Sequence, residues 1–410
     1  MKPDLLMRHT ASYRVVCVGL FLTGFSIFSL LYSAQALLPL FAGYFRISPA
    51  QSSLVVSVAT AAVAVSIFMA GSLSDRMGRK PMVVSSLFAA AACTLLAALA
   101  PTWTMLLVYR VLTGLAIGGV PAVLMAYMAE EIHPDSVGLA TGVYIAGSVF
   151  GGMSGRLVAG VLADHSSWRA ALGILGAASL CGAAYCMVSL PPSRQHQPQR
   201  RAPGEVVRRY LVPLRDAGLP WIFVGGFLLM GGFVTLYNYM TFRLLAAPYR
   251  LSQSAASWIF SIYLIGMASS TIAGALASRF GRRNLYWPAV TLMLAGVLCT
   301  LAGSLWIIVT GVGLVTFGFF ASHSLASSWV SLRGGECRAQ AASLYLCSFY
   351  VGSSVAGSLG GLVWSRHGWN GVATMVALMV SGAFLVSLRL ASLPPLPRGP
   401  VATDAITVSG

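Results

Sequence analysis

The chain reads Gly71-Ser72-Leu73-Ser74-Asp75-Arg76-Met77-Gly78-Arg79-Lys80 at the end of one long apolar stretch. It reads Gly274-Ala275-Leu276-Ala277-Ser278-Arg279-Phe280-Gly281-Arg282-Arg283 at the end of another. Both decapeptides follow the pattern G-x-L-x-[D/S]-R-x-G-R-[K/R], at an offset of 203 residues. Recurrence at matching places indicates an internal duplication, and duplicated halves inside a membrane are typical of many transporters.

The composition indicates a membrane protein. Of the 410 residues, 57% are hydrophobic and only 9% are charged, whereas soluble domains carry about 25% charged residues. The apolar residues form continuous blocks long enough to cross a bilayer as helices, which takes ~20 residues. We place twelve spans at about 15–40, 51–73, 81–100, 104–129, 137–162, 169–190, 220–246, 253–277, 286–303, 305–330, 340–364 and 370–390.

The sequence therefore predicts an all-α membrane protein with twelve transmembrane helices in two six-helix bundles. A second offset of 201 supports the duplication, because Tyr144, Gly151, Gly160 and Trp168 correspond to Tyr345, Gly352, Gly361 and Trp369. Residues 191–219 are polar, basic and rich in proline, and Val206 to Leu214 within them suit a short amphipathic helix. We predict a cytoplasmic tail at 1–14, bundles at 15–190 and 220–390, a basic cytoplasmic linker at 191–219 and a cytoplasmic tail at 391–410.

Charge placement predicts the orientation. With a cytoplasmic N-terminus, 19 of the 26 basic residues fall in cytoplasmic tails and loops and four in the opposite loops. This positive-inside bias predicts a multi-pass protein with both termini in the cytoplasm. The net charge of +16 then faces anionic lipid, so we expect the lipid bilayer and not nucleic acid as its partner.

These features together resemble the major facilitator superfamily. Residues 71–80 match the signature that follows its second helix, and Leu106, Arg110 and Gly114 fit its L-x-x-x-R-x-x-x-G signature in helix four. The helix-five antiporter signature G-P-x-x-G-G is represented by Gly147-Ser148-Val149-Phe150-Gly151-Gly152, with serine in place of proline.

Several stretches resemble the bacterial YnfM-type (acriflavine-sensitivity) branch of that family. They are Glu130-Glu131-Ile132-His133-Pro134, Gly151-Gly152-Met153-Ser154-Gly155-Arg156-Leu157, His323-Ser324-Leu325-Ala326-Ser327-Ser328-Trp329 and Gly368-Trp369-Asn370-Gly371-Val372. The resemblance implies a secondary active transporter in the cell inner membrane that moves small solutes outward by alternating access, with proton-coupled efflux as antiport.

The repeated decapeptide predicts a gating loop. Its residues are Gly71, Asp75, Arg76, Gly78 and Arg79, with Arg279, Gly281 and Arg282 in the second copy. The glycines permit a tight turn, and the Asp75 carboxylate can accept bonds from an arginine across the bundle. We expect a contact between the halves that forms in one conformation and breaks in the other; a topology signal without a gating role is the alternative.

Ionisable groups inside the spans are candidates for the substrate and proton pathway, because charge in hydrocarbon costs at least ~2.5–3.5 kcal/mol. No acidic residue lies near the centre of a predicted span. Arg110 and Arg156 do lie within spans, and so does His323, a residue type whose unperturbed pKa is near neutrality. The alternatives are an Arg110 bonded to backbone carbonyls, an Arg156 paired with Asp164, and a structural His323 satisfied by neighbouring serines.

Polar and aromatic residues complete the predicted pathway. Tyr32 and Gln35 are three apart in helix one and share a face. Asn238 interrupts an apolar run in helix seven, and Tyr144 and Tyr345 are related by the repeat. Hydrogen bonding between helices is the alternative for each.

Two intramembrane arginines without a mid-depth carboxylate suggest a cavity for anionic or neutral polar solutes. Protons are possible co-substrates. The alternative function is a transporter-like sensor or receptor that binds a solute without translocating it. The sequence has no grouped nucleophile, metal-ligand cluster or phosphate-binding loop, so we expect no enzyme activity, no catalytic residues, no metal and no cofactor. We expect a monomer.

Overall fold

The structure is a computed structural model that describes residues 5–8, 10–193 and 203–393. Its helices are α1 (Ala11–Tyr32), α2 (Leu38–Phe45), α3 (Pro49–Met77), α4 (Arg79–Ala98), α5 (Trp103–Ile117), α6 (Val120–Glu131), α7 (Pro134–His165), α8 (Trp168–Ser189), α9 (Pro203–Leu214), α10 (Leu219–Leu245), α11 (Gln253–Ser257), α12 (Tyr263–Phe280), α13 (Arg282–Cys299), α14 (Leu305–Gly334) and α15 (Arg338–Ser392). The 3-10 turns Ser33–Leu37, Trp258–Ile262 and Gly335–Cys337 join consecutive helices.

The predicted twelve-helix membrane fold is confirmed. Nine helical stretches among the described residues are long and apolar enough to cross a bilayer. The longest, Leu305–Ser392, contains three spans, because the chain turns at residues 335–337 and α15 breaks at Gly368, whose φ of 56° is not helical. The 18-residue α13 is the remaining span.

The helices extend beyond the predicted apolar edges. The first span runs over Ala11–Phe45, so it begins inside the predicted tail 1–14, and α15 continues to Ser392. Hydropathy detects the apolar centre of a helix and not its polar ends in the headgroup region. Residues 1–4, 194–202 and 394–410, which hold most of the predicted tails and part of the linker, lie outside the described residues.

The two decapeptides have the same backbone geometry. Gly78 ends α3 and precedes α4 with φ 87° and ψ 157°, and Gly281 ends α12 and precedes α13 with φ 80° and ψ 147°. Residues with a Cβ rarely adopt positive φ. Each glycine therefore allows two consecutive spans to reverse direction without a longer loop. The duplication predicted from sequence is present in the backbone.

The two six-helix groups, α1–α8 and α10–α15, contact each other at one end. We call the end that carries residues 71–80, residues 274–283 and α9 the basic end, and the opposite one the far end. At the far end, a Cβ on Gly361 would lie 2.3 Å from the Cα of Ala50. Gln253 Nε2 donates to the carbonyl of Ala36 at 2.6 Å. These contacts close the far end.

The predicted amphipathic helix in the linker is present as α9, Pro203–Leu214. It lies at the basic end between the sixth and seventh spans. Its Tyr210 ring packs edge-on against Phe68 of α3, with centroids 5.5 Å apart. The linker therefore contacts the first group of helices at the basic end.

Candidate functional site

Arg156 occupies the contact between the two groups near the far end. It lies on α7 and is 2% exposed. Its guanidinium carbon is 4.3 Å from the ring centroid of Tyr32 and 4.5 Å from that of Tyr263. Tyr32 belongs to the first group and Tyr263 to the second, so the cation lies between aromatic faces from both groups. Such faces attract a cation through their quadrupoles.

A chain of hydrogen bonds leads from Arg156 across the two groups. Arg156 Nε donates to Gln35 Oε1 at 2.6 Å, and Gln35 Nε2 donates to Asn238 Oδ1 at 2.7 Å. Gln35 and Asn238 are both fully buried. The guanidinium also donates to the carbonyl of Gly152. Because Arg156 can only donate, it fixes the orientation of both amides.

Asn238 is the last residue of this series of hydrogen bonds, and its amide nitrogen is a donor. Its Nδ2 is buried and has no hydrogen-bond partner in the described structure. A Cβ on Gly357 would lie 3.1 Å from this nitrogen and 3.4 Å from the Oγ of Ser57, which is also buried without a partner. An unsatisfied buried donor costs about 1–3 kcal/mol. An oxygen acceptor that reached Asn238 Nδ2 when the far end opened would recover that cost.

The structure brings four predicted pathway residues, Tyr32, Gln35, Arg156 and Asn238, into one cluster, which we call the arginine cluster. Tyr32 and Gln35, which the sequence predicts on one face, both contact Arg156. Sequence reasoning did not identify Tyr263, the second aromatic partner. A tyrosine in an apolar span has no periodic signal that reveals its neighbours.

Arg156 does not pair with Asp164 in this structure. Its bonds go to Gln35 and Gly152. Asp164 lies two turns further along α7, and its Oδ2 accepts the backbone N–H of Ser254 at 3.1 Å. That bond joins α7 to α11 and is a further contact between the groups at the far end. Two turns of helix, about 11 Å, separate the two side chains too widely for an ion pair.

His323 and Tyr345 form a separate pair within the second group. His323 Nδ1 lies 2.9 Å from the hydroxyl of Tyr345. The imidazole is parallel to the Phe319 ring and 4.7 Å from the centroid of Phe349. The structure thus joins two predicted residues that lie on different helices. Tyr144, the repeat equivalent of Tyr345, is buried on α7.

Arg110 lies apart from the arginine cluster. It is 1% exposed on α5. Nε donates to the carbonyl of Val55 at 3.1 Å, and the terminal nitrogens donate to the carbonyls of Leu30, at 2.7 Å, and Leu31. These carbonyls belong to α1 and α3. The geometry favours the structural alternative for this residue, an arginine that joins three helices through backbone oxygens.

The first gating loop is built around Arg79. Its Nη1 lies 2.9 Å from Asp75 Oδ1 and its Nη2 lies 3.1 Å from Glu130 Oε1. Glu130 is at the end of α6, so Arg79 fastens the loop to the fourth span of the same group. Gly71 is a helical residue of α3, and Arg76 is exposed. A gating contact across the groups remains a prediction for a different conformation.

The second loop has a different chemistry. Arg282, the equivalent of Arg79, donates to Ser328 Oγ at 2.7 Å. Arg279 is exposed and lies over the ring of Phe280, at 5.3 Å. The aspartate of the first copy is Ser278 here, which bonds to the carbonyl of Ala275. Among the described residues, carboxylates therefore bind Arg79 in the first loop, whereas the bonds of Arg282 and Ser278 in the second loop go to neutral oxygens.

Asp216, in the turn between α9 and α10, forms an ion pair with Arg333 of α14 at the basic end. Arg333 Nε donates to its Oδ1 at 2.7 Å and Nη2 donates to its Oδ2 at 3.0 Å. Oδ1 also accepts the N–H groups of Gly218 and Leu219 at the start of α10. Burial opposes ionisation of this carboxyl, but the bonds from Arg333 and the two N–H groups outweigh it and lower its pKa.

The described residues contain no group of three or more His, Cys, Asp or Glu side chains placed to hold a metal ion. Of the ion pairs found among them, none involves Arg110 or Arg156. Arg110 is therefore bound by backbone carbonyls, and Arg156 by neutral oxygens and aromatic rings.

Comparison with known proteins gives the family. Residues 16–246 and 222–407 match the model of the Major Facilitator Superfamily. The chain is 44% identical to the inner membrane transport protein YnfM of Escherichia coli K12, over 94% of this chain and 93% of that protein. It is 39% identical to the uncharacterized MFS-type transporter YybF of Bacillus subtilis, over 96% and 97%.

Solved structures confirm the fold. A bacterial homologue of the human lysosomal transporter Spinster, in an inward-facing and unoccupied conformation, superposes with a TM-score of 0.73 at 15% identity, over 94% of this chain and 98% of that one. The nucleoside transporter NupG superposes with a TM-score of 0.71 at 12% identity, over 91% and 98%. The family match, the sequence relatives and the twelve-helix fold together show that this chain belongs to the major facilitator superfamily and is a multi-pass membrane transporter.

Proposed function

We propose that the protein exports small organic anions or neutral polar solutes across the bacterial inner membrane in exchange for protons, by alternating access. The observation that carries this proposal is Arg156, a buried cation between the two groups of helices whose bonds go to neutral oxygens. A cation satisfied in this way retains charge that an anionic group on a solute can neutralise.

The surroundings of Arg156 favour an anion attached to an apolar or aromatic body. The rings of Tyr32, Tyr263 and Phe260 lie 4.3, 4.5 and 5.6 Å from its guanidinium carbon. Such rings would pack against the body of a solute while the arginine binds its charged end. Asn238 Nδ2 supplies a further donor for an oxygen of the same solute.

The conformation supports alternating access. The far end is closed by Gly361 against Ala50 and by the Asp164–Ser254 and Gln253–Ala36 bonds. If the basic end is cytoplasmic, as the positive-inside bias predicts, the protein faces inward here. Opening the far end would separate Gln35 from Asn238 and expose the arginine cluster to the other side.

Protons are proposed to act through His323 and Tyr345. An imidazole can accept and release a proton, and the Nδ1 of His323 lies 2.9 Å from the Tyr345 hydroxyl. This pair lies on α14 and α15 and is distinct from the arginine cluster, so solute and proton would bind at different places. Coupling between them would then require a change of conformation.

Binding and counterflow test the solute class. Purified protein would be screened by thermal shift against benzoate, succinate, neutral polyols and the cationic dye ethidium, and labelled forms of the solutes that bind would be used for counterflow in liposomes. We expect anions to stabilise the protein and Arg156→Gln to weaken their binding by about ten-fold or more, because charge-assisted bonds contribute about 1.5–3 kcal/mol. Arg169→Gln, in the first turn of α8 at the far end, is the matched control.

Two outcomes would contradict the proposal. Stabilisation by ethidium alone would show a cavity for cations. Binding without counterflow would support the sensor alternative instead. Proton coupling is tested separately with a pH-sensitive dye in energised inverted vesicles, where the solute should dissipate the pH gradient. His323→Gln should abolish that response but leave counterflow, which needs no proton gradient.

A further inference from the structure

The linker helix α9 exposes an apolar stripe. The exposed fractions of Val207, Leu211 and Leu214 are 59%, 45% and 46%. These residues are spaced by four and three, so their side chains lie on one face of the helix. Exposed apolar area costs about 25 cal/mol per Å² when water covers it. We therefore expect an apolar partner, and not water, to cover the stripe.

A different side of α9 faces the protein. Pro213 is buried, and Tyr210 is half-buried against Phe68 of α3. The packing of α9 on its own chain thus uses residues outside the stripe. The helix is held with Val207, Leu211 and Leu214 directed away from the bundles.

Two arginines flank the stripe. Arg208 lies on α9 next to Val207 and Leu211, and Arg215 lies in the turn that directly follows Leu214; both side chains are exposed. Apolar residues on one face with arginines at the edge are typical of helices that lie in the plane of a membrane interface. Since α9 is joined to Leu219 at the start of the seventh span, it lies beside the bilayer surface.

We propose that α9 is a binding site for anionic phospholipid at the basic end of the transporter. Val207, Leu211 and Leu214 insert among the acyl chains, and Arg208 and Arg215 bind the phosphate groups of anionic lipid. Because Tyr210 rests on Phe68, bound lipid also holds the linker against the first group of helices in this conformation. The inference is independent of which solute the protein carries.

Amide hydrogen exchange of residues 204–214 tests the proposal. Full-length protein would be placed in nanodiscs of phosphatidylcholine alone or of phosphatidylcholine mixed with phosphatidylglycerol. We expect slower exchange in the anionic discs. The double variant Arg208→Gln/Arg215→Gln should lose that difference, by about five-fold for each arginine, as expected for a basic side chain near an anionic surface. Arg366→Gln, exposed at the far end, should keep it.

The role of the stripe is tested by glutamine substitutions at two neighbouring residues, one inside the stripe and one outside it. Leu211→Gln should speed exchange in both kinds of disc. Val212→Gln, which is 53% exposed but outside the stripe, should leave exchange unchanged. Equal exchange in the two discs, or equal effects of the two glutamine variants, would overturn the proposal. Protection of the same size in lipid-free detergent and in anionic discs would show that the protein itself covers the stripe, and would also overturn it.

Discussion

Gln35 and Asn238 occupy equivalent positions of the two repeats and bond directly to each other, Nε2 to Oδ1 at 2.7 Å. Their offset of 203 residues is that of the two decapeptides. Halves of this kind are related by an axis along the membrane normal, and equivalent residues can touch only close to such an axis. The pair therefore marks the centre of the molecule near the far end.

The two amides should be energetically coupled. Gln35→Ala and Asn238→Ala should each lower the free energy of unfolding by about 1–3 kcal/mol, because each leaves a buried partner unsatisfied. The double variant should lose less than the sum, by about 1 kcal/mol. Thermal or denaturant unfolding of the purified variants measures this. Strictly additive losses would mean that the bond does not form, and Asn284→Ala, at an exposed site, is the control.

Arg110 should matter for stability and not for solute binding. Arg110→Lys should lower the free energy of unfolding by about 3 kcal/mol, since an ammonium cannot reproduce the three bonds that the guanidinium makes to carbonyls of α1 and α3. Solute affinity per folded molecule should stay within about two-fold of the parent. A Lys variant that is fully stable but fails to bind solute would assign Arg110 to the binding site.

The turn glycines should be equivalent. Gly78→Ala and Gly281→Ala should each cost roughly 1–2 kcal/mol of stability, because both positions have positive φ. No neighbour lies closer than 3.6 Å to an added Cβ at either site, so the cost is conformational. Gly274→Ala provides the control, since this helical glycine also has open space and alanine favours a helix. Equal stability of all three variants would refute the backbone explanation.

Asp216 should make stability depend on acid pH. The pKa of the Asp216 carboxyl is lowered in the folded state. The contribution of Asp216 to the free energy of unfolding is therefore complete above the ordinary aspartate pKa of about 3.9, and it is lost as the pH falls through the lowered pKa. The stability difference between the parent and Asp216→Asn should therefore be constant from neutral pH to about pH 5 and shrink below about pH 4. Melting temperatures measured across this range test the expectation. The exposed Asp135→Asn is the control, and a difference that grew towards low pH would have the wrong sign.

Hydropathy and the repeat were sufficient to predict the fold, because each span carries its own apolar signal. The repeat also relates Gln35 to Asn238, because these two hydrogen-bonded residues are separated by the same 203 residues as the two decapeptides. The contact of Arg156 with Tyr263 could not be predicted in this way. It depends on how α7 and α12 are rotated about their own axes, and apolar residues on all sides of a membrane helix leave that rotation undefined.

The repeat is chemically unequal at the arginine cluster. At the offset of 201, Arg156 corresponds to Gly357, which lies against Asn238 just as Arg156 lies against Gln35. One group therefore supplies the cation and the other supplies an uncharged donor. A solute with a negative group and a separate oxygen acceptor would be oriented by this difference.

The absence of a side chain at Gly361 has a practical consequence. The Ala50 backbone fills the place that a Cβ would need. A single added methyl group would therefore clash with it and keep α3 and α15 apart. An alanine there would hold the far end open and favour the conformation in which the basic end is closed.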